Sequence, residues 1–166
     1  MVHKLGHYGY SSSAFDEDVA FYLDNFNLTP SDTLFDPDMP DTDVLVFLHI
    51  DLGSDFSDHH SLFMQRGPPG QGSIMHHCSF EVADFDAQLI GHQWLADKGY
   101  TSVWGVGRHI LGSQIFDYWK DTSGFKIEHY ADGDIVNDKT TANRQAAGPD
   151  SLSIWGPPLP ESFISL

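Results

Sequence analysis

The sequence predicts an α+β fold of two tandem βαβββ modules that form a cleft. Three observations predict it. Shifting the chain on itself by 70 positions lays LGHYGYSSSAFDEDVAFYLDNF (5–26) on MHHCSFEVADFDAQLIGHQWLA (75–96) without a gap. His7 then meets His77, Tyr10 meets Phe80, Phe15 meets Phe85, Asp16 meets Asp86 and Val19 meets Leu89. Each copy starts as a short alternating strand and turns through small or acidic residues into an amphipathic helix. Strand-like apolar runs then follow each helix.

The elements come in this order. After the strand at LGHYGY, helical spacing predicts a helix over 15–26, with Phe15, Val19, Tyr22, Leu23 and Phe26 at helical spacing. Asp16 and Glu17 fall in its first turn, where the helix dipole favours negative charge. Strands are expected weakly near 32–36 and more clearly at DVLVFLHID (43–51) and HHSLFMQ (59–65). GPPGQG (67–72) is a stiff, breaker-rich linker. The second module has a strand at 74–82 and a helix over 85–98, with Phe85, Leu89, Trp94 and Leu95 on one side and Gly99 as its stop. Strands follow at SVWGVG (102–107), QIFDYWKD (114–121) and FKIEHYA (125–131), the last two joined by the turn DTSG (121–124). The modules span about 4–66 and 73–132, a catalytic domain over 1–132. The segment 133–166 is rich in Pro, Asn and Ser; it is expected to pack on that domain, pinned by Trp155 and Phe163, or to lid the cleft.

The 166 residues suit one domain, and 40% hydrophobic residues can build a core. The chain carries 24 Asp and Glu against 8 Lys and Arg, a net charge of -16. Such a balance repels phosphate backbones and anionic membranes, so no nucleic-acid or membrane partner is expected. There is no apolar run of spanning length and no signal-like start, and the single Cys78 suits a reducing compartment. A soluble, cytoplasmic protein is expected, with a homo-oligomer left open.

Ten histidines is a high count. Two of them, His76 and His77, are neighbours on a strand and must point to opposite faces. Ile74, His76, Cys78, Phe80 and Val82 form the more apolar face, expected to pack on the helices; Met75, His77, Ser79 and Glu81 form the cleft face. The repeat agrees, since His77 pairs with His7 while His76 pairs with Gly6. His76 is thus expected to be a core histidine or a neighbour of the site. On FKIEHYA, Lys126, Glu128 and Tyr130 share a face, and Glu128 looks into the cleft. His7, His77 and Glu128 make two imidazoles and a carboxylate from three strands, a set that holds Fe(II) and leaves open positions, though Mn(II), Zn(II) or Ni(II) could use it too. The first module ends its last strand with His59 and His60 where the second carries Glu128. Strand parity does not choose between these two histidines. A turn around LGSQ (111–114) brings together the strands bearing His109 and Tyr118.

LGHYGY (5–10), DHHSLFM (58–64), MHHCSFEVADFD (75–86), GRHILGSQIFDYW (107–119) and SGFKIEHY (123–130) together resemble the type I extradiol ring-cleaving dioxygenases of the vicinal oxygen chelate superfamily. IWGPPLPESF (154–163) is similar to the ending of such enzymes. The resemblance implies that His7, His77 and Glu128 hold Fe(II), with Mn(II) as the other candidate. It implies His60 as the acid and base near bound oxygen, which leaves His59 structural or in contact with substrate, and His109 and Tyr118 as hydrogen-bonding partners of the substrate. The partners it implies are a catechol-type diol and O2, which add across a ring bond to give an open-chain product. Two departures stand out. Many members carry a further metal-free N-terminal domain that this chain lacks, so the chain is either a short form or a domain of a longer protein. Gly9 stands where some relatives place a polar substrate contact, which leaves the substrate open. The rival readings are a glyoxalase-like isomerase or hydrolase on the same scaffold, and a metal-free small-molecule binding protein.

Overall fold

The computed structural model describes residues 1–148 and 151–164; of the C-terminal extension, 149, 150, 165 and 166 lie outside the described residues. The elements are β1 (Val2–Ser12), α1 (Phe15–Asn25), β2 (Leu28–Asp36), β3 (Met39–Ile50), β4 (Ser57–Asp58), β5 (Leu62–Arg66), β6 (Ser73–Val82), α2 (Phe85–Asp97), β7 (Ser102–His109), β8 (Ile115–Lys120), β9 (Lys126–Ala131), β10 (Ile135–Val136), β11 (Asn143–Ala146), β12 (Ser153–Trp155) and α3 (Glu161–Ile164). Both expected helices form, each preceded by one strand and followed by several. Two compact units result.

One unit takes residues 7–75 and 135–148. Its strands lie in the order β11-β2-β3-β5-β1. β1 runs parallel to β5, with Tyr8 opposite Leu62, and β3 is antiparallel to both β2 and β5. Tyr10, Phe15, Val46, Leu48, Leu62 and Met64 form the core, with Val19 and Tyr22 of α1 packed against it. Leu23 and Phe26, expected on the same helix face, stay exposed. The Arg66 guanidinium lies over the Phe15 ring at 4.5 Å and donates to the Asp16 carboxylate, which anchors the first turn of α1. The strand expected over 59–65 begins only at Leu62, so His59 and His60 lie in the bend before it. That is why strand alternation does not sort them.

The other unit takes residues 1–6, 76–134 and the described C-terminal residues from 151. Its strands lie in the order β6-β9-β8-β7-β12. β6 is parallel to β9, with Ser79 opposite Glu128, and β8 is antiparallel to β9, with Tyr118 opposite Glu128. Trp104, Phe116, Tyr118 and Phe163 form its core. Phe163 therefore pins the C-terminal segment as expected, whereas Trp155 remains 42% exposed. The segment can lie close to β7 because two glycines meet there. A Cβ on Gly156, at φ +138, would sit 2.8 Å from Gly107 Cα.

Helix α2 packs differently from its pattern. Phe85, Leu89, Ile90 and Trp94 are all exposed, and the buried residue is Gln88, at 0%. The reason is what the sheet offers underneath. Gln88 Nε2 donates at 2.9 Å to the carbonyls of both Ile115 and His129. One turn on, His92 Nδ1 lies 3.0 Å from Asp117, whose buried carboxyl also accepts from Trp119 Nε1 at 2.7 Å. Burial, offset in part by Trp119 and His92, pushes the Asp117 carboxyl above the usual carboxylate range. A sheet face with acceptors to satisfy selects the polar stripe of the helix. Asp84 caps α2, accepting from Ala87 N at 2.7 Å.

Gln88→Ala should therefore cost about 2–4 kcal/mol, since it strips donors from two carbonyls and leaves a cavity. Trp94→Ala, on the outer face, should cost under about 1 kcal/mol. Urea unfolding of the two variants checks this; equal losses would mean that the apolar face holds the helix.

Candidate metal centre

The sequence set three residues on strand faces. His7 comes from β1, His77 from β6 and Glu128 from β9, and all three are buried. Each offers one ligand atom, and these atoms lie within 4.8 Å of one another. With small side-chain adjustments, atoms this close can converge on one ion at about 2 Å each. Glu128 is fully buried, a position where a carboxylate needs positive charge or strong donors nearby. Its oxygens lie 3.6 Å from His77 Nε2 and 3.7 Å from His109 Nε2. Two neutral imidazoles and a carboxylate suit a divalent transition metal, and burial protects such a set from water.

Beside Glu128, the His109 and Tyr118 side chains meet, with Nε2 3.0 Å from the hydroxyl. The hairpin expected around LGSQ delivers this contact: β7 ends at His109, whose N–H donates to Gln114 at 2.9 Å. His109 Nδ1 faces the Leu152 carbonyl at 2.8 Å, an acceptor only, so the proton sits on Nδ1. Burial and the adjacent Glu128 carboxylate push the Tyr118 hydroxyl well above its ordinary range. Tyr118 thus stays protonated and available as a donor.

The His60 ring lies against His7, with centroids 4.1 Å apart. Behind it His59 closes a chain: His59 Nδ1 is 3.1 Å from His60 Nδ1, and His59 Nε2 is 2.6 Å from Asp32. The Asp32 carboxylate accepts from His59 Nε2, so the His59 ring is held between Asp32 and His60. Ser31 continues the frame. Its hydroxyl donates to the His59 carbonyl and accepts from His49 Nδ1 at 2.7 Å. Burial lowers the His49 pKa and keeps that ring neutral.

His76 lies buried beside His77. It is 2% exposed, its Nδ1 lies 2.7 Å from His77 Nδ1, and its ring packs edge-on against Phe163 of α3 at 5.1 Å. Burial and the neighbouring Lys126 push its pKa down to about 3. Lys126, buried as well, donates from Nζ to the Phe163 carbonyl at 2.9 Å, and burial lowers its pKa to about 8. Asp32, Ser31, His49 and Lys126 were not among the expected site residues. With 24 acidic residues in the chain, nothing local marks Asp32.

Comparison with known proteins places this fold. Residues 4–129 match the family model of the Glyoxalase/Bleomycin resistance protein/Dioxygenase superfamily. The chain belongs to that superfamily. Within it, metapyrocatechase 2 of Cupriavidus necator is 34% identical over 162 residues, covering 97% of this chain and 47% of that protein. The Mn(II)-bound glyoxalase from Novosphingobium aromaticivorans superposes with a TM-score of 0.82 at 25% identity, over 98% of this chain and 50% of its own. Homoprotocatechuate 2,3-dioxygenase from Brevibacterium fuscum, solved in an anaerobic complex with 3,4-dihydroxyphenylacetate, gives 0.75 at 18% identity over 98% of this chain and 49% of its own; that likeness is one of fold. The chain spans about half the length of these relatives. No helix among its described residues is long and apolar enough to cross a membrane.

Titration with Mn(II) should find one ion per chain. His77→Ala and Glu128→Ala should each weaken binding by about 100-fold or more. Saturation at about 100 times Kd should stabilise the wild-type fold by about 2.7 kcal/mol, read by urea unfolding, and should stabilise neither variant at that concentration.

Proposed function

We propose that this chain is an extradiol dioxygenase that opens the ring of a catechol-type substrate with O2 at a mononuclear Fe(II). The observation that carries the reading is the buried set of two imidazoles and one carboxylate with ligand atoms within 4.8 Å. The relatedness to metapyrocatechase 2 supports the substrate class, and the bound 3,4-dihydroxyphenylacetate of the Brevibacterium enzyme is itself a catechol. His7, His77 and Glu128 would hold the metal, with Mn(II) as the alternative ion. When bound, Fe(II) supplies the Lewis acidity that ionises a catechol hydroxyl and the one-electron chemistry that O2 requires.

The chain's own residues do the rest. Tyr118, held protonated, donates to an oxygen of the substrate that gains negative charge. His109, fixed by the Leu152 carbonyl, presents Nε2 to the same region. His60 exchanges a proton at Nε2, because its Nδ1 is taken up by His59. Asp32 and His59 hold that ring in place and leave its outer nitrogen for chemistry. The excess of acidic over basic residues, 24 against 8, fits a cytoplasmic enzyme acting on a small molecule.

A second reading, an isomerase of the glyoxalase type, is favoured by the 0.82 TM-score to the Mn(II)-bound glyoxalase. Oxygen uptake separates the two. Anaerobically loaded Fe(II) protein should consume O2 with simple catechols and form a coloured ring-opened product; no uptake with any catechol, together with isomerase turnover, would reverse the choice. His60→Ala should lower kcat by about 10²–10⁴-fold while metal binding persists. Tyr118→Phe should lower kcat/KM by about 10²-fold, the loss of one donor to developing charge.

A further inference from the structure

Strands β1, β3 and β5 have two unlike faces. Tyr10, Val46, Leu48, Leu62 and Met64 point to the side where α1 packs. The other side carries His7. There the ladder sets Gly9, two residues after His7, opposite Phe63, and Phe63 opposite Phe47. The two phenyl rings lie 5.4 Å apart, and Phe47 stands edge-on to His60 at 4.8 Å. Two apolar rings therefore adjoin the residue expected to exchange a proton with the substrate. The charge on this face is negative. Register places Asp32 opposite Phe47, with its buried carboxylate held by His59. Lysine and arginine do not offset it. All eight in the chain lie among the described residues. Four are exposed: Lys4, Lys98, Lys139 and Arg144. The other four are engaged, Arg66 with Asp16, Arg108 with Asp132, and Lys120 and Lys126 with the carbonyls of Gly124 and Phe163. None is left unengaged in a sheltered position, where a substrate carboxylate would need one.

We propose that the site selects a catechol with an uncharged, apolar ring substituent and discriminates against one bearing a carboxylate, with Phe47 and Phe63 as the seat of that substituent. A carboxylate brought onto this face would lose its water, gain no cation and meet Asp32, in a chain of net charge -16. An alkyl or aryl group would instead exchange water for two phenyl rings. The 3,4-dihydroxyphenylacetate bound by the Brevibacterium enzyme is of the disfavoured class. The inference rests on the extradiol reading and adds to it the kind of catechol.

Two probes share a ring and carry side chains of similar size: 4-propylcatechol is neutral and 3,4-dihydroxyphenylacetate is charged. Oxygen uptake by Fe(II)-loaded wild-type protein should give a kcat/KM about 100-fold or more higher for the neutral probe. Anaerobic calorimetry on Mn(II)-loaded protein should show the same order in Kd. Phe47→Lys supplies the missing cation and should move the ratio of the two kcat/KM values toward the acid by about 10-fold or more. Phe47→Leu keeps an apolar side chain and should preserve the wild-type order. The wild-type comparison decides the matter even where Phe47→Lys fails to fold. Absence of uptake with any catechol would overturn the extradiol reading and this inference with it. Uptake in which the acid is used as well as the neutral probe or better, or binding of the acid as tight or tighter, would overturn the inference alone.

Discussion

The arrangement of this protein depends on one costly group, the fully buried carboxylate of Glu128. A carboxylate in that position is tolerable only where donors and cations compensate it. The neighbouring strands are arranged to supply them. Tyr118 stands opposite it on β8 and is kept protonated by it, and His77 and His109 bring ring nitrogens to 3.6 and 3.7 Å. None of these is a full counter-charge by itself. A divalent cation is, which is why the donor set and the burial point to the same occupant.

That demand spreads outward. Buried polar groups need partners, and those partners need partners of their own. Tyr118 leads to His109, and His109 to the Leu152 carbonyl. His77 leads to His76, and the His76 ring packs on the ring of Phe163. The C-terminal segment is therefore more than a cover. Its Leu152 carbonyl ends the chain that begins at Tyr118, its Phe163 carbonyl accepts from the buried Lys126, and its Phe163 ring packs against Trp104 and Tyr118 at 4.7 Å from each. The same logic explains α2, which turns Gln88 rather than its apolar residues toward the sheet.

The parts legible in the sequence were those with periodicity. The 70-residue repeat located both helices and paired His7 with His77, and alternation on FKIEHYA placed Glu128, Lys126 and Tyr130 on the face that is buried. Where the chain leaves regular structure, alternation loses its meaning. His59 and His60 precede their strand, so a rule about strand faces had nothing to act on. Helix α2 misled for another reason: its apolar residues are spread round the helix, with Phe85 and Trp94 on opposite sides, and the sheet beneath presents carbonyls and Asp117, which take the polar Gln88 and His92. Asp32 and the Phe163 carbonyl were invisible because their roles arise from contacts distant in sequence, one with His59 and one with Lys126.

The two histidine doublets show how one arrangement can be given two characters. In each, adjacent histidines share a contact between their Nδ1 atoms, at 3.1 Å for His59–His60 and 2.7 Å for His76–His77. The difference lies in what stands behind the outer ring. Behind His59 is the Asp32 carboxylate at 2.6 Å. Around His76 are the Phe163 ring at 5.1 Å and the Lys126 ammonium, and burial together with that ammonium lowers its pKa. A ring expected to bind a cation must be neutral, because only the neutral form has a lone pair to give. On the proposed reading, the two pairs stand at different places in the repeat: His77 is the counterpart of His7 and serves as a ligand, while His59 and His60 stand where the second module carries Glu128, and His60 serves as acid and base.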